Sequence, residues 1–183
     1  MFLFNRKMAF SEPSTLSKVG LGIAFAAVLF DIAGFPTPYW LTKTFEVTGA
    51  LTETNVGLFR ACSWGKLCTV FSTSEYVAMG MSWLVAVQAF AILGFFSGVV
   101  GCAMILLHVA TAPHRRRHKV ISLFLTLAAA GITLTGIIIF GIKSKEEDIL
   151  VGYDLSGSFT LTLLSSMLYL AAGVDLAVDV VAG

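Results

Sequence analysis

Two cysteines are the residues whose type and spacing most clearly predict chemistry in this chain. Cys62 and Cys68 flank the segment Ser63-Trp64-Gly65-Lys66-Leu67, a pattern that predicts a short hairpin with a glycine at its tip. Two thiols opposed across such a hairpin can meet the geometry of a disulfide, and the alternative is a pair of free, buried thiols. The compartment in which the segment lies decides between these states.

The other reactive residue types form no catalytic or metal-binding pattern. The histidines are His108, His114 and His118, and no serine near them lies in a nucleophile motif. No Cys/His cluster has metal spacing, and Cys62 and Cys68 are too far apart for a Cys-x-x-Cys oxidoreductase pair. We therefore expect no enzymatic activity, no bound metal, no cofactor and no nucleic-acid partner.

Four long apolar segments must position these residues. The 183-residue chain is 57% apolar and only 13% charged, whereas soluble domains have about 25% charged residues. The segments predict transmembrane helices over residues 19–39, 77–110, 120–142 and 159–178, because a bilayer core of about 30 Å requires about 20 apolar residues. The second segment exceeds that length, and its first turns, up to Trp83, are predicted to protrude into water.

The basic residues predict the orientation of these spans. The link 111–119 contains four basic residues and no acid, and the leader 1–18 is also basic. The positive-inside rule therefore places both termini, the end 179–183 and this link in the cytosol, with loops 40–76 and 143–158 outside. The basic tract could instead bind anionic lipid headgroups. An external first loop predicts that Cys62 and Cys68 are paired.

Three acids lie within or next to the apolar segments. Asp31 lies in the first predicted span, where a carboxylate costs about 2.5–3.5 kcal/mol on insertion scales. It is expected to be a hydrogen-bonded structural acid, with a proton-linked or cation-linked site or a partner-subunit contact as the alternative. Asp175 and Asp179 share a helix face near the cytosolic end, and we expect them to be solvated or paired with the basic tract.

The first external loop alternates apolar and polar residues, which predicts strands. In this reading, one face carries Phe45, Val47, Gly49 and Leu51, and the other carries Thr44, Glu46 and Thr48. The 35-residue connection is too short for a large separate domain. It predicts a small sheet that rests on the membrane.

Several motifs of this loop resemble those of a known family. Trp40 follows the first span in Pro38-Tyr39-Trp40, Gly57-Leu58-Phe59 precedes Cys62 and Cys68, and Gln88-Ala89 lies in the second span. This order is similar to the W…GLW…C…C signature of the claudin and peripheral myelin protein superfamily. The resemblance implies a four-helix membrane bundle under a small extracellular antiparallel sheet, mostly from the first loop with one strand from the second.

The resemblance also implies a role for the motif residues. The sequence differs from the family pattern at some of them. Trp40 and the turn Gly57-Leu58-Phe59 would pack between the sheet and the bundle, although Trp40 could instead be an interfacial belt residue. Phe59 stands where the family usually has Trp, and Ala91 stands where claudins usually place Arg. These departures indicate a divergent claudin-like tetraspan.

The function that the resemblance implies is cell–cell contact at the plasma membrane. Such a protein self-associates in cis and in trans at cell junctions, and it forms or regulates junctional adhesion and paracellular permeability. Five loop charges would line the gap between cells and set its ion preference, and their balance predicts weak selectivity. These candidate charges are Glu46, Glu53, Arg60, Lys66 and Glu75.

Two alternatives remain open from the sequence. The first is an auxiliary transmembrane subunit of an ion channel or receptor, as other members of the superfamily are. The second is a myelin-type protein that organises membranes through homophilic adhesion, which the sequence does not separate from the junctional function.

Overall fold

The computed structural model describes residues 14–47, 50–63, 67–70, 72–111, 116–147 and 150–182. The predictions for residues 1–13 of the leader, for Thr48 and Gly49, for Lys66 at the hairpin tip, and for residues 112–115 of the basic link lie outside these residues. The described elements, in chain order, are α1 (Thr15–Gly34), β1 (Leu41–Val47), β2 (Ala50–Val56), β3 (Arg60–Ser63), β4 (Leu67–Val70), α2 (Thr73–Ala78), α3 (Ser82–Thr111), α4 (Arg116–Glu146), β5 (Asp154–Leu155) and α5 (Gly157–Ala182).

Four helices in the described part of the chain are long and apolar enough to cross a bilayer. These spans are Thr15–Gly34, Ser82–Ala110, Arg117–Glu146 and Gly157–Ala182. Together with the small antiparallel sheet, they confirm the predicted fold class. The helices α4 and α5 extend beyond the predicted spans 120–142 and 159–178, and their extra turns exceed what a core of about 30 Å needs.

The first helix differs from the predicted span 19–39 at both ends. It begins at Thr15 because the Ser14 hydroxyl caps it, accepting a hydrogen bond from the Ser17 amide at 3.1 Å. It ends at Gly34, since Pro36 and Pro38 cannot donate helical hydrogen bonds and restrict the residues before them. The chain from Phe35 to Trp40 is therefore a connection, and it leads directly into the sheet.

The predicted second span, 77–110, is two helices in the structure. The short helix α2 ends near Met79, and Gly80 adopts a φ of 80°, which an α-helix does not permit. The transmembrane helix α3 then begins at Ser82. Of the turns predicted to protrude, Val77 and Ala78 thus belong to a separate short helix, whereas Ser82 and Trp83 begin α3.

The five strands form one antiparallel sheet in the order β4-β3-β2-β1-β5. In β1 and β2, Glu46 is opposite Leu51, and Phe45 is opposite Thr52. Directly opposed residues share a face, so Leu51 lies on the face of Glu46 and not, as predicted, on that of Phe45. The prediction was wrong because the chain reverses between Val47 and Ala50, so the alternation of β1 does not continue into β2.

Glycines in α3 allow the helices of the bundle to approach closely. A side chain at Gly94 would overlap Thr133 of α4, and one at Gly98 would overlap the Tyr169 ring of α5. In lipid, such close packing replaces the hydrophobic effect as a source of helix association. The spacing of Gly94 and Gly98 therefore serves contacts within the bundle.

Candidate interaction surface

Trp40 connects the start of the sheet to the bundle. Its side chain is 1% exposed, and its ring lies 4.9 Å from that of Phe140 in α4 and 6.1 Å from that of Phe159 in α5. Its carbonyl accepts a hydrogen bond from the Ser156 amide at 3.0 Å, next to β5. Trp40 is thus a packing residue between the sheet and two helices, and it does not face lipid.

The Gly57-Leu58-Phe59 turn lies beside Trp40 in the same apolar cluster. Leu58 is fully buried, and its carbonyl accepts a hydrogen bond from the Gln88 side chain of α3 at 2.5 Å. Phe59 packs edge-to-face against Phe35, with ring centroids 5.7 Å apart. The turn therefore joins β2 and β3 to the helix ends, and Phe59 fills the place of the family's usual Trp with an aromatic contact.

Gly57 itself is required by the close approach of two backbone segments. A side-chain carbon there would lie 2.6 Å from the Pro38 Cα and 2.6 Å from the Thr37 carbonyl oxygen. Its amide donates to the Arg60 carbonyl at 2.9 Å and closes the turn. Because both obstacles are backbone atoms, they cannot rotate away from a larger residue.

The predicted disulfide between Cys62 and Cys68 is present. The two residues are directly opposed in the β3–β4 pair, as the hairpin spacing suggested. Cys62 is buried, whereas the β4 residues around Cys68 are exposed. The bond holds the outermost strand of the sheet to its neighbour. Cys102 is a free, half-buried thiol in α3.

The second loop is attached to both the sheet and α3. Trp83 donates its indole N–H to a Glu147 carboxylate oxygen at 2.8 Å. Lys43 of β1 donates to the Val151 carbonyl at 2.9 Å and lies over the Tyr153 ring, 5.3 Å from its centroid. These contacts, with the short strand β5, give the two loops a single packed structure.

The candidate loop charges fall into different environments. Glu46 and Glu53 are exposed and share one face of the sheet, because Glu53 is opposite Thr44 and Glu46 follows two residues later. Arg60 is half-buried and opposite Val70 of β4. Lys66 lies outside the described residues.

Glu75, the fifth candidate, caps α2. Its carboxylate accepts a hydrogen bond from the Ser72 amide at 2.5 Å, and its own amide donates to the Ser72 hydroxyl at 3.4 Å, which together form a capping box. The hydrogen bond from the Ser72 backbone lowers the pKa of Glu75 below its usual value. The Ser-x-x-Glu spacing at residues 72–75 is the sequence signal for this role.

The outer edge of the sheet is an exposed, partly apolar strand. All four residues of β4 are exposed, with Leu67 at 75% and Val70 at 73%. Within the described residues, β3 is the only strand beside it. An exposed edge strand presents unpaired backbone N–H and C=O groups to another chain.

The intramembrane acids have unequal partners. Asp31 is 2% exposed and lies beside Ser165 and Tyr169 of α5. Asp179 forms an ion pair with Lys119 of α4 at 2.7 Å and accepts hydrogen bonds from Ser14 and Ser17 of α1, each at 2.6 Å.

The contacts of Asp179 agree with the expected pairing to the basic tract. Asp175 is half-buried and forms no ion pair among the described residues, so the expectation that it is solvated or paired stays a prediction; Arg115 of the tract lies outside those residues. Among the same residues, no cluster of three or more His, Cys, Asp or Glu side chains has an arrangement that could hold a metal ion.

These features define a class of protein: a multi-pass membrane protein with four apolar helices and a disulfide-bonded sheet packed on one end of the bundle. The chain matches the family model described as the PMP-22/EMP/MP20/Claudin family over residues 15–176. It therefore belongs to that family. A search of curated proteins finds no matching sequence.

Proposed function

We propose that this protein acts at contacts between cells, where its sheet faces outward, both termini lie in the cytosol, and copies of the chain associate through β4. The observation that carries the proposal is the exposure of that edge strand, including Leu67 and Val70. Membership of the PMP-22/EMP/MP20/Claudin family supports the same function.

The proposed contact is addition of one strand to another. An edge strand from a second copy would pair with the backbone of β4 and bury its two large apolar side chains. The opposite edge, β5, has only two residues, Asp154 and Leu155, and offers little backbone for pairing. Association through β4 would therefore give the sheets a defined geometry at the membrane surface.

The exposed acids indicate the ion selectivity that such an assembly would have. Glu46 and Glu53 share a face, and rings of carboxylates favour cations in narrow pathways. The register places Arg60 on this face too, where it is half-buried, whereas Lys43 lies on the other face and contacts the second loop. A gap lined by this acidic face would prefer cations, in contrast to the weak selectivity that the total loop charge suggested.

The test is a pair of lysine substitutions on β4. Leu67→Lys/Val70→Lys places charges on the edge, which natural sheets use to prevent strand addition. We expect this variant to reach the cell surface and lose its enrichment at contacts between transfected cells. Freeze-fracture imaging should show no strands of particles. The control, Leu51→Lys, changes a leucine that is 81% exposed at the far end of β2 and should remain enriched.

Unchanged contact enrichment of the β4 variant would contradict the proposal. The second candidate function, an auxiliary subunit of a channel or receptor, is favoured by the buried Ala91 at the position where claudins carry Arg. It predicts a stoichiometric channel partner after purification in mild detergent, and no strands of particles in cells.

A further inference from the structure

The outer half of α5 buries polar side chains inside the bundle. Every buried residue of this half carries a hydroxyl group, and these residues are Ser158, Thr162, Ser165, Ser166 and Tyr169. Asp31 of α1 is 2% exposed and lies beside Ser165 and Tyr169, at the inner end of this hydroxyl-lined side of α5. Further inward, the contact between α1 and α5 becomes apolar, because Ala24, Ala172 and Leu176 form a buried cluster there.

Asp31 has no basic partner in the interior of the bundle. The only base on α1 is Lys18, which is about 20 Å from Asp31 along the helix axis. Helix α5 contains no base, and neither do residues 82–107 of α3 or 120–142 of α4. At the inner end of α4, Lys119 pairs with Asp179. All residues of these helix interiors are among those that the structure describes, so a counter-charge from within the bundle is excluded.

A carboxylate in this position must lose its charge. Burial of an ionised carboxylate without a counter-charge is so unfavourable that such a group usually becomes neutral. The neighbouring hydroxyl groups do not replace water fully, since the Oδ2 atom of Asp31 is buried and accepts no hydrogen bond. The charge is therefore removed either by a proton on the carboxylate or by a bound metal cation.

The packing around Asp31 favours a proton over a metal cation. A side chain at Gly34, one turn outward on α1, would begin 2.6 Å from the Thr162 hydroxyl oxygen, so the two helices are already in close contact. The Ser165 hydroxyl donates to the Ala27 carbonyl at 2.9 Å. A metal cation requires several oxygen ligands arranged around it. A proton forms one O–H bond and requires no additional volume.

We propose that Asp31 is a proton-binding site, and that the neutral carboxylic acid is the form that packs between α1 and α5 at neutral pH. The proton exchanges with the outer side of the membrane, because the side chains outward of Asp31 carry hydroxyl groups and those inward are apolar. Loss of the proton would leave a charge between two packed helices and loosen their contact. The site uses no residue of β4, so it holds or fails independently of the function proposed above.

The other groups that face the site do not supply a positive charge. Tyr169 of α5 interacts electrostatically with Asp31 and with the Cys102 thiol of α3. Helix α4 contributes Ala129 and Ala130 to the cluster around Tyr169, and neither side chain titrates. Ionisation of the tyrosine or the thiol would add negative charge and would favour the protonated form of Asp31.

Infrared spectroscopy of the full chain in phosphatidylcholine vesicles tests the proposal. At neutral pH, we expect the carbonyl stretching band of a protonated carboxylic acid, and Asp31→Asn should remove it. The matched control is Asp179→Asn, which removes a buried acid that is paired with Lys119 and should leave the band unchanged. Carbon-13 labelling of the aspartate carboxyl groups should shift the band in the unmodified chain, which assigns it without a substitution.

Absence of the band at neutral pH would overturn the proposal, as would its persistence in folded Asp31→Asn. Circular dichroism establishes that each variant is folded. Replacement of sodium by a large organic cation separates the two occupants. If the band appears only after this replacement, a metal cation neutralises Asp31 and the proposal is wrong.

The side from which the proton exchanges is tested with dicyclohexylcarbodiimide, which modifies protonated carboxyl groups in apolar surroundings. Mass spectrometry measures the modification of Asp31 in intact cells. We expect modification to decrease as the external pH is raised and to be insensitive to the cytosolic pH. Dependence on the cytosolic pH, or on neither pH up to the point at which the protein unfolds, would overturn exchange from the outer side.

Discussion

At Gly57, the addition of one side-chain carbon is expected to disturb the packing of the sheet on the bundle. Gly57→Ala would place a carbon 2.6 Å from backbone atoms of Thr37 and Pro38, so one of the two segments must move. We expect the free energy of unfolding to fall by about 1–3 kcal/mol, as overpacking typically does. Thermal unfolding in detergent measures the change.

The matched control is Gly131→Ala in α4, where a side chain meets nothing within 4 Å. It should not lower the free energy of unfolding, and the helix preference of alanine should raise it by up to about 1 kcal/mol. If both alanine variants unfold at the same temperature as the unmodified chain, the close approach at Gly57 does not hold the sheet in place.

Substitutions of the buried acid Asp31 can separate a structural role of its side chain from a role of its charge. Asp31→Leu leaves Ser165 and Tyr169 without their polar neighbour and should cost about 1–3 kcal/mol, whereas Asp31→Asn should cost less. In the double variant with Tyr169→Phe, the loss should be smaller than the sum of the single losses. Strict additivity in equilibrium unfolding would show that the two side chains are not coupled.

The contacts of single residues could be predicted from the sequence to different extents. The disulfide between Cys62 and Cys68 followed from spacing and compartment, because both cysteines belong to one local hairpin. The contact of Gln88 with Leu58 did not follow, since the two residues lie on different elements and meet only when the sheet packs on the bundle. The contacts of Asp179 did not follow from the sequence for the same reason. Its partners Lys119, Ser14 and Ser17 lie on α4 and at the start of α1, far from Asp179 along the chain.

Among the elements, α2 depends on an ionised cap. The pKa of Glu75 is lowered in the folded chain, so the cap contributes fully above the ordinary value of 4.5 and is lost as the pH falls through the lowered value. We expect the amide protection factors of α2, measured by hydrogen exchange, to decrease on acidification through that range.

The control for this prediction is Glu75→Gln, which keeps the length of the side chain without its charge. In this variant, α2 should have weaker protection at neutral pH and little further loss on acidification. The same pH dependence in both proteins would mean that another group destabilises α2.

The boundaries of elements were predicted less well than their existence. Each apolar segment predicted a helix correctly, but Pro36 and Pro38 end α1 earlier than hydropathy indicated, and Gly80 divides the second segment. Hydropathy counts apolar residues and does not register backbone conformation. The prediction of the sheet face on which Leu51 lies was wrong for a related reason. The register of a strand pair depends on the position of the turn, and hydropathy does not give that position.

At the scale of the whole molecule, the fold was the most predictable property. Hydrocarbon requires that each span satisfy its backbone groups internally, which gives long uncharged helices a strong signal in the sequence. The family match over residues 15–176 agrees with that architecture. Surfaces used for association carry no comparable constraint, so the exposed edge strand β4 became visible only in the structure.

Accessibility labelling of single cysteines tests the central claim, that four spans place the disulfide-bonded sheet outside the cell. Glu53→Cys on β2 and Arg117→Cys in the first turn of α4 are exposed sites for an impermeant maleimide. The predicted result is that Glu53→Cys reacts in intact cells and that Arg117→Cys reacts only after the membrane is permeabilised. The reverse pattern, or reaction of both sites in intact cells, would contradict the topology on which the contact function depends.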